Sequence, residues 1–238
     1  MKTIFHKANT RGHADHGWLK VNHTFSFADY YNPERIHFGT LRVLNDDTIA
    51  GGQGFGTHPH DNMEIITIPL SGDLEHKDSM GNSGIITQGE IQVMSAGTGI
   101  QHSEFNANSD KEVKVLQIWV FPNKKNVTPR YDQLSLKDLE KENELFQILS
   151  PNKDDNGSWI HQKAWFHLGN LKKGWNNNYK LKGNNHVVYV FLIDGKVNIE
   201  SQELNKRDGF GISETKEFKI EIIEDSQILL MEVPLNLN

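Results

Sequence analysis

Between Gly51 and Pro122 the chain is a succession of short strand-like runs, and this constrains the fold more than any other feature. The runs are Glu64–Leu70, Leu74–His76, Ile85–Thr87, Ile91–Met94 and Val113–Phe121. Between them stand the turn signals Ser71-Gly72-Asp73, Gly81-Asn82-Ser83-Gly84 and Gln88-Gly89-Glu90. Short strands at this spacing fold as a sandwich or barrel. The second half repeats the rhythm. Gly72 after Ile68-Pro69-Leu70-Ser71 resembles Gly195 after Phe191-Leu192-Ile193-Asp194, and Gly89-Glu90 resembles Asp208-Gly209. The last strand of each half ends in proline, at Pro122 and Pro234. The pattern predicts an all-β chain made by duplication. Between the halves, Asn123-Lys124-Lys125-Asn126 is a polar connector, and the Ser135 to Asp138 spacing predicts the cap of a short helix.

Two short segments carry the chemistry. Gly54-Phe55-Gly56-Thr57-His58-Pro59-His60 and Gly99-Ile100-Gln101-His102-Ser103-Glu104 each place two ligand-type side chains two residues apart. On an extended strand that spacing puts both on one face. His58 and His60 from one strand and His102 and Glu104 from another can therefore converge on a metal ion. Glycine-rich turns beside both segments allow close backbone approach. Glu64 has the parity of His58 and His60, so on an unbroken strand it is an equal candidate for the carboxylate. Gln117 shares a face with Val115 and Trp119; it is either a polar neighbour of the ligands or an amide paired within the core. His13 and His16 suit a metal only on a helix, and Gly12 and Gly17 argue against one, so we expect hydrogen bonds to a loop or strand end there. In the second half Lys182-Gly183-Asn184-Asn185-His186 offers one histidine, and nothing in residues 205–225 replaces His102 and Glu104. His161 and His167 lie among aromatics, as expected of structural histidines.

Composition narrows the function. There is no cysteine, so thiolate nucleophiles, iron–sulfur clusters and sulfur-ligated zinc are excluded, and any metal is held by nitrogen and oxygen. A net charge of −6 without a long basic cluster argues against a nucleic-acid backbone. The mean hydropathy of −0.58 and the lack of any apolar run near the roughly 20 residues that cross a bilayer indicate no membrane span. The start, Met1-Lys2-Thr3-Ile4-Phe5-His6, lacks the apolar stretch of a signal peptide, and we expect a cytoplasmic monomer.

Longer strings identify a family. Arg11-Gly12-His13-Ala14-Asp15-His16-Gly17-Trp18-Leu19, His23-Thr24-Phe25-Ser26-Phe27, Asp78-Ser79-Met80-Gly81-Asn82, Met94 to Glu104 and Thr128-Pro129-Arg130-Tyr131 resemble the pirin family, across nearly the whole chain. The resemblance is strongest to bacterial pirin-like proteins with quercetin 2,3-dioxygenase activity. It implies a bicupin, two jelly-roll-type β-barrels packed face to face. Residues 1–125 are then the metal-bearing barrel, 126–146 a linker with a short helix, and 147–238 a barrel without metal. The family's ligand positions match His58, His60, His102 and Glu104, whereas the general cupin spacing His-x-His-x-x-x-Glu points to Glu64. The implied cofactor is one divalent ion, iron(II) first, with manganese, nickel, copper, cobalt or zinc as alternatives. The implied reaction cleaves a flavonol such as quercetin with dioxygen and releases carbon monoxide, with Glu104 as the base for the substrate hydroxyl. The alternative is a metal-dependent regulatory protein that binds an enzyme or a transcription factor.

Overall fold

A computed structural model describes residues 1–237. Twelve strands precede residue 140: β1 (Lys2–His6), β2 (Gly12–Asp15), β3 (Leu19–His23), β4 (Leu41–Ile49), β5 (Gly54–His60), β6 (Glu64–Ser71), β7 (Asp73–Asp78), β8 (Ser83–Thr87), β9 (Glu90–Ser95), β10 (Ile100–Asn106), β11 (Val113–Val120) and β12 (Arg130–Ser135). Eight follow: β13 (Leu145–Ser150), β14 (Ser158–Trp159), β15 (Trp165–Leu171), β16 (Asn176–Lys180), β17 (His186–Ile199), β18 (Gln202–Asn205), β19 (Gly209–Ser213) and β20 (Glu217–Pro234). Among the described residues the only helical element is one 3-10 turn, Ala8–Thr10, and no helix is long and apolar enough to cross a membrane.

The first half is a two-sheet barrel. A seven-stranded sheet runs β12-β9-β6-β11-β4-β3-β2, and a four-stranded sheet runs β5-β10-β7-β8. Alternation along β11 shows how the sheet divides its labour. Leu116, Ile118 and Val120 point out of the barrel into a core shared with Phe166, Tyr189, Phe191, Leu229 and Met231 of the second half. Val113 and Val115 point inward, against Ile49, Leu74 and Ile86. The eight strands of the second half form one nine-stranded sheet with β1, in which the long strands β17 and β20 pair through several register shifts. Its interior holds Val188, Val190, Phe210, Ile220 and Leu230.

The duplicated rhythm has a physical basis at the corners. Gly72 separates β6 from β7 at φ +76°, and Gly195 kinks β17 at φ +91°, so both occupy backbone that disfavours side chains. A Cβ at Gly195 would sit 2.3 Å from the Asp225 carbonyl oxygen.

Two features depart from the expected division at 125 and 146. The short helix does not form. Residues 130–135 are instead an edge strand paired to β9, and the Ser135 hydroxyl accepts from the Lys137 N–H (3.3 Å), leaving a single turn at Leu136–Glu140. A strand pairs its backbone groups with a neighbouring strand, and the free edge of β9 supplies that neighbour. At the other end, β1 leaves the first half and pairs with β19 of the second.

Candidate metal centre

Strands β5 and β10 run antiparallel, with His102 opposite His58 and Ile100 opposite His60. All three histidines therefore lie on one face, aimed into the first barrel. Between His102 and Glu104 the pairing jumps from His58 to Phe55, so β5 carries one extra residue, a bulge. There the Gly56 carbonyl accepts from His58 Nδ1 at 2.8 Å. That bond fixes the proton on Nδ1 and leaves Nε2 as the lone-pair nitrogen. One ring nitrogen from each of His58, His60 and His102 lies within 4.8 Å of the other two.

The opposite neighbour of β10 is β7, where His76 faces Glu104 and Asp78 faces His102. Burial disfavours an ionised Asp78, but donors from Asn82, His76 and Met80 outweigh it and hold the carboxyl below its ordinary range. An ionised carboxylate only accepts. His76 Nε2 must then donate to Asp78 Oδ2 (3.3 Å), and His76, kept neutral by burial, has only an acceptor left at Nδ1. His102 Nδ1, 3.4 Å away, donates to it. His102 Nε2 is left as a lone-pair nitrogen, buried and without a partner. His76 itself packs against Tyr131 of β12, with centroids 4.9 Å apart and the rings tilted by 32°. Sequence reasoning missed this residue. The signal was present, because His76-Lys77-Asp78 has the same two-residue spacing as the other pairs.

Glu104 is buried beside these rings. It accepts from Gln117 Nε2 (3.1 and 3.3 Å) and from the Thr67 hydroxyl (3.4 Å). Burial pushes its carboxyl up to about 7, against the pull of both donors. With His76 and His102 it forms a second group of mutually close ligand atoms, sharing His102 with the first. Burial, followed by the neighbouring histidines, brings His102 down to about 2, and burial with His58 brings His60 down to about 4. Both imidazoles are therefore neutral at ordinary pH, the state in which they bind metals. Orphaned lone-pair nitrogens, neutral rings and a nearby carboxyl fit a divalent transition metal.

Glu64 stands elsewhere. Asn62 at φ +43° breaks the strand after His60, and Glu64 begins β6 in the other sheet. It shares the outward parity of Ile66 and accepts from the Ser95 hydroxyl at 2.7 Å. The parity argument failed because the strand is broken. Gln117 faces inward and contacts Glu104. His13 lies in β2, not on a helix, and meets Asn22 Oδ1 at 3.1 Å. His13 and His16 belong to no group of three ligand side chains, and among the described residues the second half contains no such group.

His58, His60 and Glu104 line a cavity of about 420 Å³. Two edge-to-face aromatic pairs wall it: Trp18 with Phe55 (centroids 5.4 Å) and Phe27 with Trp119 (5.1 Å). Asn45, Asp47 and Gln117 supply polar groups on the sheet side.

Two packed β-barrels with a nitrogen-and-oxygen ligand cluster inside one of them define a bicupin. The chain belongs to the pirin family. The Pirin family model matches residues 4–120, and the model for the quercetinase C-terminal cupin domain matches residues 147–233. The chain is 42% identical to a quercetin 2,3-dioxygenase of Escherichia coli K12, over 96% of this chain and 97% of that one. It is 37% identical to a pirin-like protein of Caulobacter vibrioides, over 93% and 95%. Its fold matches the crystal structure of the bacterial pirin YhhW from Escherichia coli in complex with nickel(II), with TM-score 0.93 and 40% identity over 98% and 99% of the two chains.

Proposed function

We propose that the chain is a metal-dependent dioxygenase that cleaves a flavonol such as quercetin, with dioxygen as co-substrate and carbon monoxide as a product. The supporting observation is the meeting of the histidine cluster and Glu104 with a cavity walled by aromatic side chains. His58, His60, His102 and Glu104 are the proposed ligands, and iron(II) the proposed ion, which the nitrogen-and-oxygen donor set suits. When bound, the metal supplies a Lewis acid and a redox-active centre toward dioxygen. The chain's own side chains do the rest. Trp18, Phe27, Phe55 and Trp119 accept the flat apolar body of a flavonol and exclude water from it. Glu104, as the carboxylate, takes the proton of the flavonol hydroxyl and becomes the neutral acid; Gln117 Nε2 and the Thr67 hydroxyl, both donors to it, hold the carboxylate in place until it does. The E. coli relatives support this reading through the activity and the nickel that their names carry.

Metal content and flavonol turnover test it together. Metal-loaded wild type is expected to bleach quercetin absorbance, and His58→Ala to lose both metal and activity. Glu64→Gln should retain full metal occupancy, while Glu104→Gln should reduce it. Full occupancy in Glu104→Gln with loss in Glu64→Gln would reverse the ligand assignment. A metal-loaded protein inert toward several flavonols would leave the regulatory binding role.

A further inference from the structure

Asp47 is a carboxylate that the fold does not explain. It lies on β4, 5% exposed, and its Oδ1 is buried without a hydrogen-bond partner. Its cross-strand neighbours are Val21 on β3 and Val115 on β11, both apolar. Its chain neighbour shows what a compensated acid looks like here: Asp46 points the other way and meets Arg11 Nη1 at 3.2 Å and Arg207 Nε at 3.6 Å. Asn45, two residues back on the cavity side, is likewise partnered, holding His23 Nδ1 at 2.9 Å. An unpartnered buried carboxylate costs folding stability, because nothing replaces the water it lost. Asp47 lines the aromatic-walled cavity, so the missing partner is one that enters that cavity.

We propose that Asp47 is the substrate-hydroxyl acceptor of the cavity, and that the substrate is an aromatic molecule with at least two separated hydroxyls. One faces Glu104 and the histidines; a second donates to Asp47. The inference rests on the aromatic-hydroxyl reading of the cavity given above and adds the residue that selects among such molecules. A site built around an unpaired acceptor discriminates strongly against an analogue without the donor, because the acceptor then stays both buried and unpaired.

The test uses nickel-loaded protein under anaerobic conditions, where a flavonol binds without turnover. Tryptophan quenching by quercetin, with hydroxyls on both ring systems, is compared with quenching by 3-hydroxyflavone, which has only one. Wild type should bind quercetin more tightly. Asp47→Leu, of similar size but with no acceptor, should weaken quercetin binding about 10-fold, the scale of one hydrogen bond, and leave 3-hydroxyflavone binding unchanged. The urea midpoint of ligand-free Asp47→Leu should be equal to or above that of wild type. Unchanged quercetin binding, equal weakening for both flavonols, or a lowered midpoint would overturn the inference while leaving the flavonol reading intact. Failure of wild type to bind either flavonol would defeat that reading and this inference with it.

Discussion

His76 and Asp78 decide which nitrogen of His102 is free. An acceptor-only carboxylate forces a donor on His76, and that donor leaves His76 only an acceptor to offer His102. Replacing His76 with phenylalanine keeps the ring on Tyr131 but removes the acceptor. We expect metal affinity to fall about 10- to 100-fold, read by competition with a chromophoric chelator, with the metal-free protein still folded. Unchanged affinity would mean that His102 needs no such orientation. Glu64 gives a separate, pH-linked prediction. Burial raises its carboxyl to about 7 in the folded chain, against about 4.5 unfolded. Between those values the folded state keeps a proton that the unfolded state has lost, so stability falls as pH rises. Glu64→Gln should match wild type near pH 4 and exceed it by about 3 kcal/mol at pH 8 in urea unfolding of metal-free protein.

At the level of strands, the candidate site depends on three interruptions: the bulge at Gly56, the break at Asn62 and the turn at Gly97. Gly97 sits at φ +49°, its carbonyl accepts from the Asn62 N–H at 2.9 Å, and a Cβ there would meet the Val127 carbonyl oxygen at 2.0 Å. Gly97→Ala should therefore destabilise the protein by about 2 kcal/mol or more in urea unfolding. Gly56→Ala should be far milder in the same measurement, since no atom lies within 4 Å of its Cβ position. These interruptions also mark where the sequence was readable. The two-residue spacing of His58 and His60, and of His102 and Glu104, survives because each pair lies within one strand. Glu64 misled because a period-two argument carries no further than the strand, and Asn62 is not a glycine or proline that announces a break. His76 needed knowledge of which strand lies beside β10, and pairing is set by long-range packing. The linker failed in the same way: Ser135 and Asp138 have helix-cap spacing, but the open edge of β9 lies beside them.

Across the whole molecule the halves are interlocked. They share one apolar core, β1 crosses to the second sheet, and β12 brings Tyr131 from the linker onto His76. His6 of β1 also bonds the buried Tyr189 hydroxyl at 2.8 Å. Deleting residues 1–7 should lower stability by at least about 1–3 kcal/mol from that hydroxyl alone, and free the edge of β19 for self-association. Calorimetry and light scattering would show both effects; a fully stable, monodisperse deletion would mean that the strand exchange contributes nothing. The duplicated rhythm was legible from Gly72 and Gly195 because a corner demands a residue that tolerates positive φ. The exchange of β1 was not, since no local pattern says which sheet a strand joins. The shared core backs the seven-stranded sheet of the first barrel, the sheet from which Gln117 and Thr67 reach Glu104. The direct test of the proposed reaction is gas stoichiometry: carbon monoxide released and dioxygen consumed per quercetin lost, in metal-loaded protein. The expected result is one of each per quercetin, abolished by chelation and by His102→Ala. Quercetin loss without carbon monoxide, or at the same rate in the stripped protein, would contradict it.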